Sequence, residues 1–213
     1  MKLNSEHLFD LRRTLARDAL IGRFPWEILP TLHDLIRALG RALSRDAYTE
    51  IFPDVYVARD VRIDPDAVIL APCIVGAGSE IRHGACLRGS ALIGEGCVVG
   101  NSSEVKNSIL FDGVKLPHWN YAGDSVLGAG VHLGAGAILS NLRLDRGSVT
   151  VRTDPPVATG LRKLGAILGD GCEVGCHAVL NPGTVLFQNC TVLPLTAVCG
   201  VHARGSRIGG NGT

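Results

Sequence analysis

Residues 73–100 read CIVGAGSEIRHGACLRGSALIGEGCVVG, and two interleaved series of period six run through them. Val75, Ile81, Leu87, Ile93 and Val99 form a large series; Cys73, Ser79, Ala85, Ala91 and Cys97, each two residues earlier, form a small one. Extended outward, the large series starts at Val57, Ile63 and Ile69 and continues through Val105 to Phe111, with Ser103 and Ile109 as the last partners. The phase is lost around Pro117 and resumes at Leu127, Leu133 and Leu139. It returns a third time at Leu168, Val174, Leu180, Leu186, Val192 and Val198. Successive side chains on a strand point to opposite faces, so both members of each pair share the inward side. Glycine follows several inward aliphatics directly, as at Gly76 and Gly94, where a tight corner is expected to need freedom in φ. Three strand-and-corner sides close a triangular coil of ~18 residues, and stacked coils bury one another. The predicted class is all-β, a parallel β-helix over 51–201.

Composition agrees. In 213 residues, 46% hydrophobic, 5% aromatic and 19% charged content with 27 glycines excludes disorder, a coiled coil and an aromatic-centred globule. Twenty-one basic against twenty acidic residues, without a block of like charge, gives no nucleic-acid surface. The N-terminus has no apolar signal core and no stretch nears ~18 apolar residues, so the expectation is a cytoplasmic protein off the membrane. Seven cysteines, an odd number, fit reduced thiols rather than a disulfide framework.

Residues 1–50 read as a helical cap. Leu8, Leu11 and Leu15 suggest a first helix, broken at Gly22 and Pro25; Leu32, Leu35, Ile36, Leu39 and Leu43 suggest a second, with Thr31 as N-cap and Asp34 reaching back to it. The cap is expected to cover the open lower coil. Where the count of six fails, two excursions are predicted to project, at 112–126 and 142–165, and 202–213 reads as a flexible glycine-rich tail. Function is sought at those interruptions. Arg88 and Lys106 stand one coil apart on an outward face. Two stacked cations call for an anion between them, a phosphate or Glu104.

The large–small hexads resemble the bacterial transferase hexapeptide family, which implies a left-handed coil and a homotrimer. Asn101, Glu104-Val105-Lys106-Asn107-Ser108, Pro117-His118, Tyr121-Ala122-Gly123-Asp124-Ser125, Leu133-Gly134-Ala135-Gly136 and Asn141 resemble something narrower. They are similar to the C-terminal acetyltransferase domain of bifunctional uridylyltransferase/glucosamine-1-phosphate acetyltransferases. The archaeal sugar-1-phosphate nucleotidylyltransferases with an acetyltransferase domain look closer still. The resemblance implies acetyl-CoA-dependent N-acylation of an amino-sugar 1-phosphate in UDP-N-acetylglucosamine-type nucleotide-sugar biosynthesis, without a metal. It makes His118 the general base, Arg88 and Lys106 the phosphate ligands, and Tyr121 and Asn141 the sugar ligands. Gly134, Ala135 and Gly136 would border the acyl donor.

Two other readings stay open: a non-catalytic sugar-nucleotide-binding or structural trimer, and a γ-class carbonic anhydrase, for which His83 and His118 are suitably spaced but Gly123 replaces the third histidine. Cys172, Cys176 and His177 look like metal ligands on paper, although the hexad phase sends Cys172 inward and the other two to a corner. Cys172 and Cys190, one coil apart, are expected to stack as thiols.

Overall fold

The computed structural model describes residues 2–210. Among them the strands form sheets of nine, seven and eight strands and a separate two-stranded hairpin, Thr150–Val151 with Val157–Ala158. Each coil contributes one short strand to each large sheet, and every coil-to-coil pairing is parallel and in register: Cys73–Val75 lies beside Ala91–Ile93, Glu80–Ile81 beside Val98 and Val99, and Cys86 and Leu87 beside Glu104 and Val105. The fold is the parallel β-helix. Val75, Ile81, Leu87, Ile93, Val99, Leu133, Leu139, Leu168, Leu180 and Leu186 fill its interior over small Cys73, Ala85, Ala91, Cys97, Cys172 and Cys190. Both faces of the nine-stranded sheet are apolar, as expected for a parallel sheet covered on both sides.

The middle coils depart from the hexad count. Leu110, not Phe111, opposes Ile93, and Leu110 in turn opposes Leu127, so these coils hold seventeen residues. The missing residue is at the corner between the seven- and nine-stranded sheets. There a single residue, Asn107, separates Glu104–Lys106 from Ser108–Leu110. Asp124 holds the equivalent corner one coil on, between Tyr121–Gly123 and Val126–Leu127. Both adopt left-handed φ, 46° and 50°, which Asn and Asp tolerate better than other side chains. The predicted excursion at 112–126 is therefore absent: Lys115–His118 and Tyr121–Gly123 are ordinary rungs, with Leu116 beside Val99 and Ala122 beside Val105. Backbone groups left over at the shortened corner bond to inward hydroxyls, Ser125 N–H donating to Ser108 Oγ and Ala166 N–H to Ser125 Oγ.

The glycines after inward aliphatics are needed for space rather than for φ. A Cβ on Gly76 would lie 2.6 Å from the Gly94 backbone, and one on Gly94 2.7 Å from Asp112. The coils pass too closely there for any side chain.

The N-terminal region corrects four expectations. Its first part forms only short turns, Ser5–His7, Leu11–Arg13 and Arg17–Leu20, because Asp10 and Thr14 accept from nearby backbone N–H groups and interrupt the helix. The second helix, Leu32–Ala42, continues directly from the 3-10 turn Pro25–Thr31; Thr31 Oγ1 donates to the Ile28 carbonyl instead of capping. Tyr48–Phe52 is a strand, antiparallel to Val55–Ala58. Apart from Tyr48–Phe52, which covers the nine-stranded side of the lowest coil, the region leaves that coil open, and Val68 and Leu70 stay exposed. It lies along the outer face of the nine-stranded sheet, whose mid-strand residues Tyr56, Ile74, Leu92, Ile109, Val126, Ile167 and Val185 form a continuous outward ladder. Leu8, Phe9, Trp26, Leu32 and Ile36 bury that ladder, with Phe9 and Phe111 rings 4.9 Å apart. Asp170 ties the arm down, its carboxylate accepting from Asp10 N–H (2.6 Å) and Ala129 N–H (2.7 Å). The excursion at 142–165 does leave the coil, but it folds back so that Val149, Val151 and Leu164 join the same apolar layer.

At the other end, Val201–His202 and Arg207–Ile208 pair with the coil below, so most of the predicted tail is a further turn; 211–213 lie outside the described residues. No helix among the described residues is long and apolar enough to cross a membrane. Truncating Phe111 to alanine is expected to cost about 3–5 kcal/mol through the cavity it leaves under the arm. Leu70→Ala, on the open coil, should stay within about 0.5 kcal/mol, both read from urea denaturation midpoints.

Candidate functional site

The outer face of the seven-stranded sheet carries a polar column. Leu87 opposes Val105, which sets Arg88 beside Lys106; Lys106 opposes Gly123, and Ala122 opposes Leu139, which sets Gly123 beside Ser140. Neighbouring rungs lie about 4.8 Å apart. The stacked cations each find a carboxylate. Arg88 Nη1 lies 2.9 Å from Glu104 Oε1, yet that buried oxygen receives no hydrogen bond, because the guanidinium N–H groups are not aimed at it. Lys106 turns away from Glu104 to Asp124, with Nζ 3.4 Å and 3.5 Å from its two oxygens.

Asp124, to which the sequence pattern assigns no role, is the hub of the cluster. Its side chain is 6% exposed. Besides Lys106, it accepts from Asn107 Nδ2 (2.7 Å) and from Asn141 Nδ2. Asn141 Nδ2 also donates to the Tyr121 hydroxyl at 3.1 Å. Lys106 and Asn141, 35 positions apart in sequence, thus converge with Asn107 on one carboxylate, and Tyr121 joins them through Asn141. Gly123 makes the convergence possible, since a Cβ there would overlap the Tyr121 hydroxyl and crowd the Asn141 amide. Burial, and then the nearby carboxylates of Asp124 and Glu104, push the Tyr121 phenol above its ordinary pKa. Main-chain bonds fix the corner: Asp124 N–H donates to the Lys106 carbonyl, and the Asn141 and Asp124 carbonyls accept from Leu164 and Gly165 N–H as the excursion re-enters. A one-residue corner filled by Asn and then Asp is a sequence signal that could have singled out Asn107 and Asp124.

His118 stands apart from this cluster, at the opposite end of the sheet-to-sheet corner that precedes Tyr121. It is exposed, and among the described residues its imidazole has no hydrogen-bond partner in the protein. Its backbone is well anchored. The N–H donates to Asn120 Oδ1, the carbonyl accepts from Gly136 N–H, and buried Asn120 bonds on to the Gly134 carbonyl and Ser103 Oγ. Asn120 is a second residue that hexad counting missed. Trp119 follows His118 at φ 50° and is 59% exposed, its ring 6.1 Å from the imidazole. Gly134, Ala135 and Gly136 form the next corner up, directly over His118. A side chain on Gly136 would overlap the His177 ring one coil higher.

A cavity of about 510 Å³ continues the polar column upward, between Ser140, Asn181 and Cys199 on the sheet and Leu142, Arg143 and Arg152 of the excursion. Arg152 Nη1 reaches 3.4 Å from the Cys199 sulfur. Among the described residues no three His, Cys, Asp or Glu side chains converge to hold a metal. His83 pairs with Asp66, Cys172 is buried while Cys176 and His177 are exposed, and Cys172 and Cys190 are buried thiols donating to the Phe187 and Ala203 carbonyls.

Comparison with known proteins adds the family. The uncharacterized acetyltransferase YaiX of Escherichia coli O6:K15:H31 is 32% identical over 193 residues, covering 81% of each chain. The bifunctional protein GlmU of Methanocaldococcus jannaschii is 33% identical over 178 residues, 81% of this chain and 42% of that protein. The bifunctional sugar-1-phosphate nucleotidylyltransferase/acetyltransferase of Sulfurisphaera tokodaii is 37% identical over 92 residues, 43% of this chain and 23% of that one. The chain thus spans less than half the length of these bifunctional relatives. Among solved structures, the acetyltransferase domain of PglB from Neisseria gonorrhoeae in complex with acetyl coenzyme A is 17% identical, with 70% of this chain and 51% of that one covered and a TM-score of 0.32. The UDP-N-acetylglucosamine acyltransferase of Campylobacter jejuni is 12% identical, with 70% and 68% covered and a TM-score of 0.36. The family model of the GMPPB C-terminal domain matches residues 49–144 and 69–198, most of the β-helix, and the chain belongs to that family.

Proposed function

We propose that the protein is an acetyl-CoA-dependent N-acyltransferase that acts on an amino-sugar 1-phosphate in nucleotide-sugar biosynthesis. The observation that carries this reading is the meeting of Lys106 and Asn141 at Asp124, with the Tyr121 hydroxyl bonded to Asn141, one corner from an exposed His118. Relatives named as acetyltransferases, one of them matched over 81% of both chains, support the same chemistry.

In this reading Arg88 and Lys106 hold the phosphate, as a donor fork and a compact cation, and Tyr121 and Asn141 hold ring substituents. The sugar's amino nitrogen attacks the thioester carbonyl while His118 takes one of its protons. The tetrahedral adduct then expels the thiolate, to which the His118 imidazolium passes that proton, so that the thiol leaves and an amide remains. Gly134–Gly136, the bare corner above His118, borders the acyl donor. The protein works as a cytoplasmic homotrimer. Light scattering is expected to give about three times the 22.4 kDa chain mass, and a monomer at working concentration counts against a shared site.

A second reading has a specific observation behind it: among the described residues no side chain hydrogen-bonds the His118 ring. A binding module for nucleotide sugars needs no such bond. Thiol release from acetyl-CoA, followed across a panel of hexosamine 1-phosphates, separates the two. The enzyme reading expects His118→Ala to lower kcat by about 10²–10⁴ with little change in sugar-phosphate affinity. No turnover with any sugar, together with tight UDP-sugar binding by calorimetry, establishes the module instead. Gly123→Ala, which displaces Tyr121 and Asn141 from their contact, should raise the acceptor KM about tenfold, the loss of roughly one hydrogen bond.

A further inference from the structure

The hydrogen bonds at Asp124 assign a polarity to the acceptor site. Asn141 Nδ2 donates hydrogen bonds to Asp124 and to the Tyr121 oxygen, and among the described residues nothing donates to its Oδ1, which is left as an acceptor. The Tyr121 oxygen accepts the hydrogen bond from Asn141, so its own O–H is left to donate to a ligand. Lys106 Nζ sits 3.4–3.5 Å from the Asp124 oxygens, longer than the ~2.7–2.9 Å of a seated ion pair, so its charge is balanced while its donors remain available. Asn107 occupies the remaining side of the carboxylate at 2.7 Å. An amide at position 124 could satisfy only one of the two asparagines in this way, and it would leave Lys106 without a counter-charge.

We propose that Asp124 is the positioning residue that makes the site selective for an amino-sugar phosphate over a bare anion. By fixing Asn141 as an acceptor and Tyr121 as a donor, it rewards a ligand whose O–H or N–H hydrogen meets Asn141. By balancing Lys106, it keeps inorganic anions from occupying the cation alone. This rests on the acceptor assignment above. It goes further in naming the residue that sets selectivity and the hydrogen-bond pattern the ligand must match.

The test is calorimetric and needs no turnover. Glucosamine 1-phosphate and inorganic phosphate are each titrated into wild type and Asp124→Asn, with thermal denaturation of both proteins alongside. The expected result is a glucosamine 1-phosphate Kd about tenfold higher in the variant, with the phosphate Kd unchanged or lower, so that discrimination between them falls at least tenfold. A purely structural role would weaken both ligands together or neither, and an unchanged ratio overturns the proposal while the acceptor site stands. If Asp124→Asn fails to fold, Asn141→Ala carries the test: it removes the acceptor and should lose the same discrimination, and retention overturns the proposal. Binding by wild type without acyl transfer removes the enzyme reading and leaves the Asp124 comparison decisive. Failure of wild type to bind any hexosamine 1-phosphate overturns both.

Discussion

The in-register stacking of coils is the constraint on which the rest of this structure depends. Each strand sends its backbone hydrogen bonds to the coils above and below, so a coil cannot change length within a strand without breaking a ladder on both sides. Length can change only at a corner. In this chain every large irregularity falls at one corner, between the seven- and nine-stranded sheets: Asn107 and Asp124 shorten it by a residue, and 142–165 then lengthen it into an excursion. The left-handed backbone that a one-residue corner demands selects Asn and Asp, and those side chains are the ones that go on to build the polar cluster. The site is a product of the way the fold absorbs a change in repeat length.

The outward ladder of the nine-stranded sheet has the same origin. Stacking in register places Ile74, Leu92, Ile109, Val126, Ile167 and Val185 in one line on the surface, an apolar strip that water would not tolerate. The N-terminal arm and the excursion cover it from two directions. This is why the arm lies along the side of the stack rather than beneath it, and why Phe111 belongs to a second apolar layer rather than to the interior. Covering that face also fixes the excursion at its two ends, where Asn141 and Gly165 meet Asp124.

The six-residue period, read on Cys73–Val99 alone, was enough for strands, inward residues and parallel stacking, because each of those follows from local alternation repeated at constant spacing. Residues named by resemblance, Lys106, Tyr121 and Asn141, do meet, while His118 lies across a corner from them and Arg88 faces Glu104. Counting went astray where one residue was missing. A gap of five instead of six moves every later side chain to the other face, and the sequence offers no local penalty to mark the slip: Ile109 and Phe111 are as apolar as Leu110. The same slip made two regular strands look like a projecting loop.

What the sequence determined by itself, then, was the repeating unit, since its pattern is written within every ~18 residues. What only the tertiary structure decided was the phase between distant coils, the surface the arm covers, and the carboxylate on which Lys106, Asn107 and Asn141 converge. Those depend on which rung lies beside which. That pairing is a property of the stacked coils, fixed when Leu110 rather than Phe111 turns inward beside Ile93.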